Sequence, residues 1–325
     1  MPARPPVVVV LPVLLVAGLT ALAWALVSGE ARADWSSLLA ALGGSASFDA
    51  TVIRELRLPR AVAAYAGGGL LAVAGALMQV LLRNPLADPY VLGVSGGAAV
   101  GALGALSIGL STVAADASAF AGALAAMLLV FGLARGDGSW TQTRLLLTGV
   151  IVAAGCGAVV TLMLSMAHDA RVHSMLFWLM GDASAAGRPW PALGLLAFAV
   201  LACLPLARDL NVLARGDLGA RALGVAVDRL RVAIYVLASL LTATAVTMIG
   251  TVGFVGLIVP HLVRLAIGND QRVLLPASAL AGGALLVLAD TAARLVLSPL
   301  QLPVGVLTAL IGVPVFLFLL ARHYR

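Results

Sequence analysis

ARDLNVLARGDLGARALGVAVDRLR, residues 207–231, carries eight charged side chains in a chain that is 62% hydrophobic and 10% charged. Arg208, Asp209, Arg215, Asp217, Arg221, Asp228, Arg229 and Arg231 cannot lie at the centre of a bilayer helix. Each would cost about 2.5–3.5 kcal/mol there. On both sides the sequence is apolar for many residues. An isolated polar island in such a chain is where something soluble can touch it. The island also reads as structured. Asp217 is placed to cap a short helix, Leu218 to Leu223, that Gly224 then ends, and Arg221 follows four residues on, on the same face. A solvated loop is the plain alternative; the segment's length and its bracketed helix weigh against it.

Outward from the island, long charge-free windows recur to both ends, and the mean hydropathy is +1.09. This composition describes an all-α, polytopic membrane protein with one membrane domain spanning residues 1–325. Apolar windows predict ten spans, near 7–27, 61–82, 91–110, 117–134, 145–166, 189–207, 232–249, 252–267, 273–291 and 303–321. Val232 to Val263 must break, because 32 uncharged residues would make a helix of about 48 Å, too long for one crossing. Gly250 and Gly253 offer the break. Val7 to Gly29 is charge-free for longer than a usual signal-peptide h-region, so it reads as a retained first span. Two shorter windows, Trp35 to Phe48 and Val172 to Gly181, suit the interface rather than a crossing.

Ten spans put both termini on one side. With that side inside, arginine counting gives thirteen inner against seven outer, the orientation that the positive-inside rule favours. The island is then cytoplasmic. The net charge of +6 is not a nucleic-acid signal, since there is no basic run and no aromatic platform. Cys156 and Cys203 fall inside apolar spans and read as packing residues rather than a disulfide or metal pair.

Several motifs stand out. Arg57-Leu58-Pro59-Arg60 opens the second span, with Pro59 suited to a first helical turn. Two outward arginines run against the orientation rule. They either snorkel at a helix end or, together with Arg294 at the outer end of the ninth span, meet an acidic soluble partner. Asn84-Pro85-Leu86-Ala87-Asp88-Pro89 is a stiff connector, because its prolines deny helix. It leads into Gly93, Gly96, Gly97, Gly101 and Gly104, which suit close helix packing. Span five carries Gly149, Gly155, Gly157, Met163 and Met166, residues fit to line a path for a bulky ligand or to pack against helices. His168 and His173 make only a weak metal signal without a carboxylate or cysteine framework. His261 near the inner end of span eight suits a hydrogen-bonded structural role.

Taken together, these segments resemble the FecCD-type permeases, the membrane subunits of ABC importers for vitamin B12, ferric siderophores and haem. The matching pieces are RLPR (57–60), NPLADPYVLGVSGGA (84–98), RLLLTGV (144–150), GDLGARALGV (216–225), GTVGFVGLIVPHLVR (250–264), RVLLPASALAGG (272–283), LADTAARL (288–295) and LPVGVLTALIGVPVF (302–316). The resemblance implies a type II ABC importer permease: ten helices per subunit, two copies around a central path in a bacterial inner membrane, two cytoplasmic ATPase subunits and a periplasmic binding protein. It places Asp217, Leu218, Gly219, Ala220, Arg221, Leu223 and Gly224 in the coupling helices that the ATPase grips. Asn84 and Leu86 occupy one inner gate position, and Gln142 and Thr143 the other. That last pair departs from the hydroxyl-rich gate of the B12 branch. Arg57, Arg60 and Arg294 fall where family members offer arginines to the binding protein. No cofactor or resident metal is implied.

Other classes fare worse. An ion-coupled secondary transporter of a hydrophobic metabolite is expected to carry ionisable residues within its spans, and here the spans are nearly charge-free, with Asp290 at the edge of one. A membrane hydrolase needs a converging nucleophile and base or a metal cluster. ATP hydrolysis needs a Gly-x-x-x-x-Gly-Lys loop, which the sequence lacks. The motor is expected on a separate chain.

Overall fold

Each long apolar window of the sequence becomes a helix. The structure, a computed structural model, describes residues 7–29, 34–45, 47–135, 141–298 and 300–323. Of the arginines counted for orientation, Arg4, Arg32 and Arg325 lie outside these. The helices are α1 (Val7–Val27), α2 (Trp35–Leu42), α3 (Phe48–Val52), α4 (Leu58–Leu81), α5 (Val94–Ser107), α6 (Thr112–Ala134), α7 (Gln142–Met166) and α8 (Asp169–Met180). They continue with α9 (Trp190–Cys203), α10 (Ala207–Leu213), α11 (Asp217–Ala222), α12 (Val227–Ile249), α13 (Val255–Ile267), α14 (Gln271–Leu295) and α15 (Val304–His323). Among the described residues there is no strand. Among the described residues six helices are long and apolar enough to cross a membrane, or seven if the pair α9 and α10, bent by 71°, is one span; three further apolar helices are shorter, and together these match the ten predicted windows. Pro205 stands at that bend, where it cannot donate to the helical ladder.

The bundle is built around α4. In its most apolar stretch 94% of the helix is buried, whereas α7 is only 17% buried in the same measure. Small residues make this possible. A methyl group on Gly68 would lie 2.2 Å from the Gly282 carbonyl oxygen of α14, so the two backbones touch. Of the glycines expected to pack α5, Gly97 and Gly101 meet Gly122 and the Ser118 backbone of α6, and Gly96 meets Cys156 of α7.

The interface windows also become helices: α2, capped by Asp34, and α8. Beyond α2 the chain enters α3 and a single π turn, Ile53–Arg57, that runs straight into α4. The break after α12 is longer than the glycines suggested. α13 starts at Val255 rather than near residue 252 because the preceding stretch is held off the helix. Tyr90 donates its hydroxyl to the Val252 carbonyl at 3.0 Å and accepts the Val252 N–H at 2.9 Å. Phe254 then takes a left-handed φ of 69°.

Gly149 of α7 packs directly on the turn Pro89–Leu92, so that an added methyl would lie 2.2 Å from the Val91 carbonyl oxygen. Gly149→Ala is expected to cost about 1–3 kcal/mol through overpacking. Gly155→Ala, with nothing within 4 Å, is expected to be neutral. Thermal unfolding of the two variants in nanodiscs checks the difference.

Candidate functional site

At one end of the bundle the island takes shape around an ion pair. Asp217 is the first residue of α11, not its cap. Gly216 holds the cap position, at φ 132°, and no side chain caps the helix. The expectation that Asp217 caps the helix is therefore corrected: its carboxylate turns instead to Arg231, fourteen residues on, which is 7% exposed. Arg221 likewise does not pair with Asp217; it reaches Asp228 at 2.8 and 3.0 Å. The other end of α11 is as expected. Gly224 takes φ 81°, and the N–H groups of Val225 and Gly224 bond the carbonyls of Ala220 and Arg221 at 3.0 Å each, closing the helix as a Schellman motif. Ala220 faces inward at 0% exposure, while Leu218 and Leu223 stand out at 87% and 66%. The preceding α10 is anchored, since Asn211 bonds both the Asp270 carboxylate and the Gln271 N–H at 2.9 Å.

Beside α11 lies the connector after α4. Asn84 folds it with its own side chain, accepting the Leu86 N–H at 2.9 Å. Asp88 accepts the Tyr90 N–H at 2.7 Å and so starts the turn that Tyr90 pins to Val252. Loss of water around Asp88 pushes its carboxyl up to about 6, against the lowering effect of that hydrogen bond. Gln142, the first residue of α7, docks on the same corner: its amide donates to the Leu81 carbonyl at 3.0 Å and accepts from Arg83 at 2.9 Å. Thr143 is exposed. The structure thus brings Asn84, Leu86 and Gln142 to one corner, with Thr143 at its surface.

Arg83 was not singled out in the sequence, yet it joins these parts. It adopts φ 47°, a left-handed conformation that costs a non-glycine residue about 1–2 kcal/mol. Its Nη2 bonds Gln142, and its Nη1 lies 4.0 Å from Asp217 Oδ1. That oxygen is shielded from solvent and has no hydrogen-bond partner. Arg83 also lines a cavity of about 410 Å³ with Gln79, His261, Arg264 and Gln271.

At the opposite end of α4, about 36 Å away at 1.5 Å per residue, three arginines converge. Arg57 does not point outward as expected. It is 7% exposed, and its Nη1 donates to the Leu26 and Val27 carbonyls at 2.9 and 3.0 Å. These are the last carbonyls of α1, which have no intrahelical partner and attract a cation. Arg60 grips Asp290 with bonds of 2.9–3.1 Å and donates to Gln301 at 2.9 Å. Asp182 lies 3.7 Å from Arg60. Arg294 reaches Ser28, Ala25 and Thr291, each at 3.4 Å, and Asp290, also at 3.4 Å. Of the two histidines in the α7–α8 region, His173 packs on the Phe177 ring at 4.7 Å between centroids.

The model of the FecCD transport family matches residues 14–322. The chain belongs to the FecCD transport family. The permease is 44% identical over 274 residues to the cobalamin import system permease protein BtuC of Halobacterium salinarum, covering 83% of this chain and 73% of that one. It is 43% identical over 277 residues to the Fe(3+) dicitrate transport system permease protein FecD of Escherichia coli K12, covering 83% and 85%. Among solved structures it is similar to a metal-chelate type ABC transporter in an inward-facing conformation, with a TM-score of 0.83, 30% identity and coverage of 98% and 100%. The permease is therefore an ABC transporter membrane subunit with the fold read from its sequence.

Proposed function

We propose that this permease carries a bulky metal chelate of the cobalamin, ferric siderophore or haem class across a bacterial inner membrane, inward, on ATP hydrolysed by a separate subunit. In this reading two copies form the path, two ATPase subunits bind the end that carries α11, and a periplasmic binding protein docks at the Arg60 end. The observation that carries it is α11 itself. Two exposed leucines project from a short, Schellman-closed helix held by Asp217 and Arg231, in the midst of a polar island. Apolar side chains presented on a charged surface mark a protein contact. With that end cytoplasmic, Asn84, Leu86, Gln142 and Thr143 stand at the inner mouth of the path as its gate. The sparsely buried α7, with Leu147, Val150, Ile151, Leu162 and Met166 exposed, supplies the face that meets the second copy.

Cysteine at Leu86, in a background lacking Cys156 and Cys203, is expected to cross-link between two copies in at least one nucleotide state. Absence of the cross-link in the nucleotide-free, ADP-bound and ATP-bound states alike places Leu86 away from the axis. The function itself is tested by reconstituting the permease with its ATPase and binding protein in vesicles and offering cyanocobalamin, a ferric siderophore and hemin. ATP-dependent uptake of one of them is expected; uptake driven by an ion gradient without ATP overturns the reading.

A further inference from the structure

We propose that Arg83 is the positioning residue through which α11 controls the 84–88 connector, its guanidinium shared between Gln142 and Asp217. This rests on the reading of α11 as the coupling helix and of the connector as a gate, and it adds the link between them. Three observations meet at this side chain. First, Arg83 stands between α7 and α11 at the residue from which the connector leaves α4: it hydrogen-bonds Gln142 of α7 at 2.9 Å and faces Asp217 of α11 at 4.0 Å. Second, the Asp217 oxygen it faces is shielded and lacks a hydrogen bond. A guanidinium–carboxylate hydrogen bond closes at about 2.7–2.9 Å, so a displacement of roughly 1 Å completes it. Third, room for that displacement exists, because Arg83 lines the 410 Å³ cavity on one side. Gly216, which leads into α11, is likewise uncrowded by it, with the nearest Arg83 atom 3.7 Å from where a side chain would begin.

The consequence follows from the number of donors. Arg83 offers a planar fork of donors, one arm on the first residue of α7 and one toward the first residue of α11. Pulling α11 toward Arg83 closes the second arm and draws on the first. Because Arg83 is also the residue that turns the chain out of α4, at φ 47°, any change in its side-chain position acts on the backbone that leads to Asn84 and Leu86. Arg231 plays a different part: it fixes Asp217 within the island.

The test is a double-mutant cycle read by hydrogen exchange on the full-length permease in nanodiscs. Asp217→Asn is expected to raise amide exchange across residues 82–93 about tenfold. In an Arg83→Gln background the same change should leave those amides unaltered while still loosening α11 through Arg231. Additive effects, or wild-type exchange of the connector in Asp217→Asn, overturn the proposal. If Arg83→Gln does not fold, Arg83→Lys, which keeps the charge but cannot bridge two acceptors in a plane, replaces it in the cycle. A second arm uses the complete complex with cyanocobalamin, a ferric siderophore and hemin. Arg83→Gln should retain ATP hydrolysis and lose about tenfold in uptake per ATP; an unchanged ratio also overturns the proposal. Should the wild-type complex transport none of the three probes with ATP, the importer reading falls, and the exchange cycle still decides the role of Arg83.

Discussion

Leu218→Asp combined with Leu223→Asp is expected to weaken association of the ATPase with the permease by about a thousandfold or more and to abolish ATP-driven uptake. Burying a leucine is worth about 1.5–3 kcal/mol, and two lost leucines replaced by carboxylates that must be desolvated remove at least about 4 kcal/mol. At 1.4 kcal/mol per tenfold this is close to three orders of magnitude. The permease itself should not suffer, because both side chains are largely exposed and α11 is held by other groups: the buried Ala220, the Asp217–Arg231 pair and the Schellman closure. Copurification of the ATPase with the variant, together with thermal unfolding of the isolated permease, separates the two effects. Full complex formation with normal uptake would remove α11 from the coupling role.

The line between what sequence showed and what it hid follows the range of the interactions. Span positions were legible because hydrophobicity and helix length are local properties: 30 Å of hydrocarbon demands about 20 apolar residues wherever they occur. So the windows 145–166 and 232–249 became α7 and α12 with ends displaced by a few residues. The C-terminal end of α11 was legible too, since Gly224 supplies the positive φ that a Schellman closure needs. Its N-terminal end was misread because the competitor for Asp217 is distant in sequence. Arg231 offers a full charge at a buried site, and the local backbone N–H groups could not match it. Arg57 failed for the same reason. The carbonyls it satisfies belong to the end of α1, about thirty residues earlier, and no pattern near RLPR announces them. Arg83 carried no signal at all: a lone arginine at a helix end becomes a junction only when α7 and α11 are brought against it.

Those long-range partners change what is expected of the three arginines at the far end. Arg57→Glu should destabilise the permease by about 3–5 kcal/mol, as breaking a buried charge arrangement does, because a carboxylate would face the Leu26 and Val27 carbonyls that now accept from the guanidinium. The docking role proposed for this end then rests on Arg60 and Arg294. Arg60 is held tightly by Asp290 and Gln301, whereas every contact of Arg294 is 3.4 Å long, so Arg294 is the side chain most able to turn to an acidic partner. In the proposed assembly a two-fold pair of copies would present two such arginine clusters to a two-lobed partner. Charge complementarity of this kind chiefly sets association rate and register and fades with salt, over a Debye length of about 8 Å at 0.15 M. Arg294→Glu is therefore expected to slow association of the binding protein about tenfold at low salt and to flatten its salt dependence. The measurement is stopped-flow association on nanodisc complexes across a salt series, with Arg57→Glu run beside it for stability. A wild-type rate and salt slope in well-folded Arg294→Glu would assign these arginines to holding α1, α4 and α14 together and to nothing more.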